Sequence, residues 1–112
     1  MRPAPIPEYT ESLRKLLRAY VPNGYPDVRL VSDIMGTSVR TLQRRLAEHG
    51  LSHAELVLQT RFEIATELLG DPDIKVVEVP CEVGYSDPSN FIRAFRKIAG
   101  MSPDEWRRHQ RS

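Results

Sequence analysis

The chain has 112 residues, 40% of them hydrophobic, enough for one or two small cores but not for a large one. Sixteen Lys and Arg against 15 Asp and Glu leave a net charge of +1, so no strongly basic or acidic average marks a partner. No run approaches the ~18 apolar residues of a membrane span, and no charged-then-apolar leader opens the chain. The single cysteine, Cys81, excludes an internal disulfide. His49, His53, His109 and Cys81 stand at no metal-ligand spacing, so no metal or cofactor is expected.

Pro3, Pro5 and Pro7 mark residues 1–7 as a disordered linker. A first helix is expected from about Glu8 to Tyr20, with Leu13, Leu16, Leu17 and Tyr20 at helical spacing, stopped by Pro22-Asn23-Gly24. Asp27 is the expected N-cap of a second helix reaching Met35, with Val28, Val31 and Met35 inward and Gly36 supplying a positive-φ turn. Ser38 caps a third helix, which carries Leu42 and Leu46 inward, ends near His49 and closes at Gly50. Ser52 and Glu55 form a capping box for a fourth helix running to about Leu69. Its apolar residues lie on more than one side, the pattern of a helix packed between two bodies.

Gly70-Asp71-Pro72-Asp73 is a turn, followed by a fifth helix over about Ile74 to Val83 and a turn at Gly84-Tyr85. Pro80 lies inside that fifth helix, where a mid-helix proline costs roughly 3 kcal/mol. A kink or a late start near Glu78 is therefore expected, with a second unit less stable than the first. Asp87 caps a sixth helix with Pro88 at its first position and Phe91, Phe95 and Ile98 facing the core. Gly100 ends it, and Ser102, Pro103 and Glu105 start a seventh helix anchored by Trp106. His53 and His109 read as surface residues and Cys81 as an inert thiol.

The order contains one unit twice. Val28, Val31, Met35 and Gly36 match Val76, Val79, Val83 and Gly84 at a shift of 48; Leu42, Arg44 and Leu46 match Phe91, Arg93 and Phe95 at a shift of 49. The second turn is thus one residue longer. Gly50-Leu51-Ser52 recurs as Gly100-Met101-Ser102. A short apolar helix, a glycine turn and a second helix with outward arginines is the sequence form of a helix-turn-helix. The expected fold is all-α: about seven helices in two homeodomain-like helix-turn-helix subdomains, residues 8–51 and 70–112, joined by a linker helix over residues 52–69.

Charge is distributed rather than absent. Ser38 to Leu46 holds three arginines and no acid, and Ser89 to Lys97 holds three cations and no acid. Arg40, Gln43 and Arg44 stand opposite the core positions of the third helix. Arg can grip guanine O6 and N7, and Gln can grip adenine N6 and N7. Ser89, Asn90 and Arg93 form the matching set, with Ser89 partly toward the core and Ile92 within reach of a thymine methyl. Arg45 and His49, then Arg96 and Lys97, suit phosphates, as do the free N–H groups at the starts of the fourth and seventh helices. A surface ion pair is the plain alternative for each arginine.

Residues 38–46 (Ser-Val-Arg-Thr-Leu-Gln-Arg-Arg-Leu) resemble the first recognition helix of the AraC/XylS, or arabinose-regulator, family. Residues 84–96, from Gly84-Tyr85-Ser86-Asp87-Pro88 to Arg96, are similar to its second signature, and Gly100-Met101-Ser102-Pro103 with Trp106 to its ending. The resemblance runs from about Asp27 to Arg108. It implies a bacterial, cytoplasmic transcription regulator's sequence-specific DNA-binding domain, with recognition helices (about 38–49 and 87–99) in adjacent major grooves of a double-stranded operator. It also implies a separate N-terminal sensing or dimerising domain outside this chain, although stand-alone members exist. Pro80 and Ser32 stand where the family usually has alanine, and Pro88 replaces a side chain that often reaches toward DNA. These departures motivate an alternative: a protein-interaction module that reads DNA only through its first unit, with the sixth helix touching RNA polymerase or another subunit. No nucleophile–base pair, carboxylate dyad or phosphate loop suggests an enzyme.

Overall fold

Among the described residues, seven α-helices follow from the local signals: α1 Ile6–Tyr20, α2 Val28–Ile34, α3 Val39–Ala47, α4 His53–Leu69, α5 Val79–Glu82, α6 Pro88–Ala99 and α7 Pro103–Arg111. Short 3₁₀ turns at Val21–Asn23 and Val76–Glu78 precede α2 and α5, and no strand occurs among the described residues. The structure is a computed structural model and describes residues 6–111. Most of the residue 1–7 linker lies outside that range; α1 begins at Ile6 rather than Glu8.

The helix ends are set by side chains placed to satisfy orphan backbone groups. Ser38 accepts from the Thr41 N–H at 3.1 Å, and Asp87 from the Ser89 N–H at 2.9 Å. Both expected capping boxes form: Ser52 with Glu55 at 3.0 and 3.1 Å, and Ser102 with Glu105 at 2.8 and 3.1 Å. Asp27 holds the N-cap position of α2 without making a side-chain bond.

Both helix-turn-helix turns use one device. After α2, the Gly36 N–H donates to Asp33 O and the Thr37 N–H to Ser32 O; after α5, the Gly84 N–H donates to Cys81 O and the Tyr85 N–H to Pro80 O. This is the Schellman pairing, and it needs a left-handed residue at the glycine, where φ is +72° and +85°. The caps then stand two residues beyond Gly36 (Ser38) and three beyond Gly84 (Asp87), the one-residue difference visible in the repeat.

Two cores result. Leu13, Leu17, Val21, Val31, Leu42, Leu46, Leu56 and Val57 close the first; Ala65, Leu69, Val79, Val83, Phe91 and Phe95 close the second. Ile64 packs against both. Leu56 and Ala65 are nine residues apart, about two and a half turns, so α4 presents opposite faces to its two neighbours. The α1 helix lies along α4, with Arg14 bonded to Glu63 at 2.9 Å and Gln59 at 3.2 Å, and Arg18 to Glu67 at 2.6 Å. At the far end, Arg107 Nε of α7 donates to Leu69 O at 2.9 Å and so caps the C-terminus of α4.

Three expectations need correction. His53 is buried, 8% exposed, not a surface residue: as the first residue of α4 it is folded over by the chain entering α2, and its Nε2 lies 2.7 Å from Pro26 O. Ile98 is 41% exposed, because Phe91 and Phe95 already span the inward face of α6. Tyr20, 38% exposed, ends α1 beside the core rather than in it, and Val21 takes the buried place. The fifth helix, by contrast, takes the expected late start rather than running on from Ile74. A 3₁₀ turn comes first, α5 starts at Val79, and Pro80 falls at its second position, where no intrahelical N–H bond is lost.

The turns are not equivalent in their surroundings. A Cβ at Gly36 would meet nothing within 4 Å, whereas one at Gly84 would stand 2.0 Å from Val21 O. Gly36→Ala should therefore cost roughly 1–2 kcal/mol of stability, the left-handed penalty alone. Gly84→Ala should cost clearly more in the same urea titration, and equal losses would mean that the two units do not touch at Gly84. Pro80→Ala should lower stability by no more than about 1 kcal/mol, since the proline fits a helix start. A gain near the roughly 3 kcal/mol of a relieved mid-helix proline would place Pro80 inside the helix instead.

Candidate DNA-binding surface

In α3 the buried side chains are Leu42 and Leu46, so the helix turns Arg40, Gln43 and Arg44 to solvent; all three are exposed. In α6, Phe91 and Phe95 are buried, and Ser89, Asn90, Arg93, Arg96 and Lys97 are exposed. Ser89 is thus exposed and is not among the residues of the core. Each recognition helix carries its cations on the side opposite its own hydrophobic cluster, which is the geometry for insertion into a groove.

The individual side chains differ in how they are held. The Arg93 guanidinium donates to Asn90 Oδ1 at 2.9 Å, one turn back, which aims Arg93 along the helix and leaves the Asn90 amide N–H₂ as that side chain's outward donor. Arg45 is exposed, with its guanidinium 5.1 Å from the centre of the Tyr9 ring. Burial pushes the Tyr9 phenol up from its ordinary pKa, and the nearby Arg45 charge partly opposes this. Arg96 approaches Glu105 at 3.9 Å. The Glu105 carboxyl is held below its ordinary pKa first by the Ser102 backbone N–H, then by the Ser102 hydroxyl, with Arg96 and Arg108 adding to it.

Beside each recognition helix runs an open cleft built from matching residues of the repeat. In the first unit it is lined by Asp27, Val28, Gln43, Ser52, His53 and Ala54, and in the second by Lys75, Val76, Ile92, Ser102, Pro103 and Asp104. The start of the following helix, α4 or α7, borders each cleft.

Sequence reasoning passed over Arg61 and Tyr25 and misread His53, three residues that join the two units rather than form their outward faces. Arg61, on α4, donates to Gly84 O at 3.2 Å and lies 4.3 Å from the Tyr85 ring centre and 5.6 Å from that of Tyr25. Tyr25 in turn meets His53 edge to face at 5.9 Å. The available signal was a lone arginine on a linker helix whose carboxylates are Glu55, Glu63 and Glu67, with a tyrosine ahead of each unit's recognition helix. Among the described residues, no three His, Cys, Asp or Glu side chains gather as a metal site, and no helix is long and apolar enough to cross a membrane.

Comparison with known proteins agrees with this architecture. The family model described as "Helix-turn-helix domain" matches residues 31–109. The ornithine utilization regulator of Pseudomonas aeruginosa is 33% identical over 95 residues, 85% of this chain and 28% of that protein. The transcriptional regulator VirS of Mycobacterium tuberculosis is 32% identical over 98 residues, 88% of this chain and 29% of that protein. Among solved structures, the C-terminal domain of AraT from Geobacillus stearothermophilus superposes with a TM-score of 0.78 at 28% identity, covering 97% of this chain and 88% of that one. The transcriptional regulator CdpR of Pseudomonas aeruginosa gives 0.77 at 32% identity, covering 89% of this chain and 31% of that one. The chain spans less than a third of the length of these curated relatives. With paired helix-turn-helix units on one linker helix and a family match over most of its length, the chain belongs to the AraC/XylS family of helix-turn-helix transcription regulators.

Proposed function

We propose that this chain reads two blocks of double-stranded DNA, one with α3 and one with α6, in adjacent major grooves. The observation that carries this is the pair of outward polar stripes, Arg40/Gln43/Arg44 and Ser89/Asn90/Arg93, each opposite a separate core and both mounted on α4. Arg40 and Arg44 are suited to guanine edges and Gln43 to adenine. In α6, Arg93 is aimed by Asn90, whose amide donors face acceptors such as guanine O6 or thymine O4. Lys97, Arg96 and Arg45 supply phosphate contacts, Arg96 by exchanging its long contact with Glu105 for one with DNA. The start of α4, with Glu55 as the one acid of its first turn, is the better of the two helix ends for a phosphate, because α7 carries two, Asp104 and Glu105.

The prolines of the second unit give no reason to divert it from DNA. Pro80 and Pro88 both sit within the first two positions of their helices, and the outward face of α6 is intact. The proposal assigns the chain no catalytic step. It places the chain in a bacterial cytoplasm, as part of a longer regulator whose remaining sequence senses a signal or dimerises and whose DNA-bound form contacts RNA polymerase.

Selection from a random duplex pool at ~150 mM salt, which suppresses phosphate-only binding, tests the reading. Two enriched blocks about one helical turn, ~34 Å, apart are expected; a single block would leave α6 without a DNA role. On the selected duplex, Arg44→Ala and Arg93→Ala should each cost roughly 1–3 kcal/mol and relax the base preference of one block only. Wild-type affinity and preference in both variants would remove these residues from the site. Lys97→Ala should instead weaken all sequences alike and reduce the slope of log affinity against log salt by about one.

A further inference from the structure

We propose that Arg61 is a positioning residue that sets which spacing between the two DNA blocks the chain accepts. The inference rests on the two-block reading above and adds to it the element that fixes the distance and rotation between the readers. Arg61 lies near the middle of α4, between the residues given to the first core and those given to the second. Its guanidinium meets both units at the segments from which their helices spring. On one side it donates to Gly84 O at 3.2 Å and stacks 4.3 Å from the Tyr85 ring centre, in the turn that leads directly into α6. On the other it lies 5.6 Å from the ring centre of Tyr25, in the connection that leads directly into α2.

Tyr25 is itself fixed from below. Its ring meets that of His53 edge to face, and His53 Nε2 lies 2.7 Å from the carbonyl of the next residue in the connection, Pro26. A continuous set of contacts therefore runs from the entry of α2, through His53 and Tyr25, to Arg61, and on to the entry of α6. The side chain suits the task because a planar guanidinium can stack on rings and donate in its own plane together, which an ammonium cannot. Such stacking strengthens when the cation is partly withdrawn from water, as this half-buried one is. Arg61 Nε is buried with no partner among the described residues, so the group is held by its stacked faces and its NH2 rather than by a full set of hydrogen bonds.

The consequence concerns linkage rather than contact. Two readers joined rigidly gain affinity over one reader only when their separation matches that of the blocks; two readers joined loosely gain less at the best spacing and lose less at others. Inserting two base pairs moves the second block about 7 Å along the axis and about 70° around it, which a fixed pair of helices cannot follow. Arg61 is not part of the surface that meets the bases, so its loss should change this spacing response and spare each reader.

The test uses anisotropy titrations of the wild-type chain and of Arg61→Met, which keeps the apolar stem and removes the guanidinium. Four duplexes are compared: both selected blocks at the selected spacing, the same blocks with two base pairs added or removed, and one block alone. Wild type should lose at least about tenfold in affinity on either spacing change. Arg61→Met should bind the selected spacing several-fold more weakly, lose about threefold or less when the spacing changes, and match wild type on the single block. Arg61→Lys should fall between them. Should Arg61→Met fail to melt cooperatively, Tyr25→Leu, at a half-exposed ring in the first unit, carries the same expectation. Unchanged spacing discrimination in a folded variant overturns the inference, as does an equal loss on one block and on two, which would show a general structural role. If wild type gains nothing from the second block, the two-block reading itself fails, separately and before Arg61 is in question.

Discussion

Gly84 lies so close to the first unit that a single methyl group there would stand 2.0 Å from Val21 O. The turn of the second helix-turn-helix is thus pressed, backbone to backbone, against the 3₁₀ turn that ends α1. Only a glycine can both take the left-handed φ of +85° that the Schellman turn needs and leave room for that carbonyl. Much else depends on this contact. It leaves the Gly84 carbonyl for Arg61, brings Tyr85 over the same guanidinium, and so determines where α6 starts relative to the first unit. Two helix-turn-helix units strung on a helix without such a contact would each fold around its own core and leave their mutual orientation to the stiffness of α4.

The two units solve the same problems with different residues. Ser32 and Pro80 occupy one position of the repeat and both are buried. Ser32 satisfies its hydroxyl by donating to Arg29 O at 2.9 Å, a local back-bond within α2. Pro80 has no N–H to satisfy and is admitted because α5 is only a four-residue helix that begins just before it. The helix was shortened to fit the proline, and the 3₁₀ turn at Val76–Glu78 takes up the preceding chain, with Glu78 accepting from the Lys75 N–H at 2.9 Å. The fully buried residues of the first core are all aliphatic. The second relies on a ring cluster in which Phe62, Phe91 and Trp106 all pack on Phe95.

Electrostatically, a net charge of +1 describes nothing local. Glu63 and Glu67 on α4 are turned toward Arg14 and Arg18 of α1, so two acids are engaged between these helices. Partly exposed pairs of this kind contribute little each to stability. Their placement still matters, because these two carboxylates face α1 rather than the exposed sides of α3 and α6. Asp104 and Glu105 at the start of α7 are the exception, and they temper the positive end of that helix near the second reader.

How much was legible in the sequence follows from the range of the interactions involved. The caps at Ser38, Ser52, Asp87 and Ser102, the glycine turns, and the division of α3 and α6 into a core side and an outward side are local or periodic. They are written in residues one to four positions apart, and the repeat supplied a second copy of each signal. The late start of α5 was likewise legible, because proline's missing N–H is a property of the chain itself. The roles of His53, Arg61 and Tyr25, the exposure of Ile98, and the singular position of Gly84 were not. Each depends on what another element brings to it from 20 or more residues away, or on two phenylalanines having already filled the inward face. Sequence by itself determined the helices, their ends and which side of each recognition helix is free to meet DNA. Only the tertiary structure decided how the two readers are set against one another, because that is fixed by a backbone contact and a stacked guanidinium that carry no periodic signal.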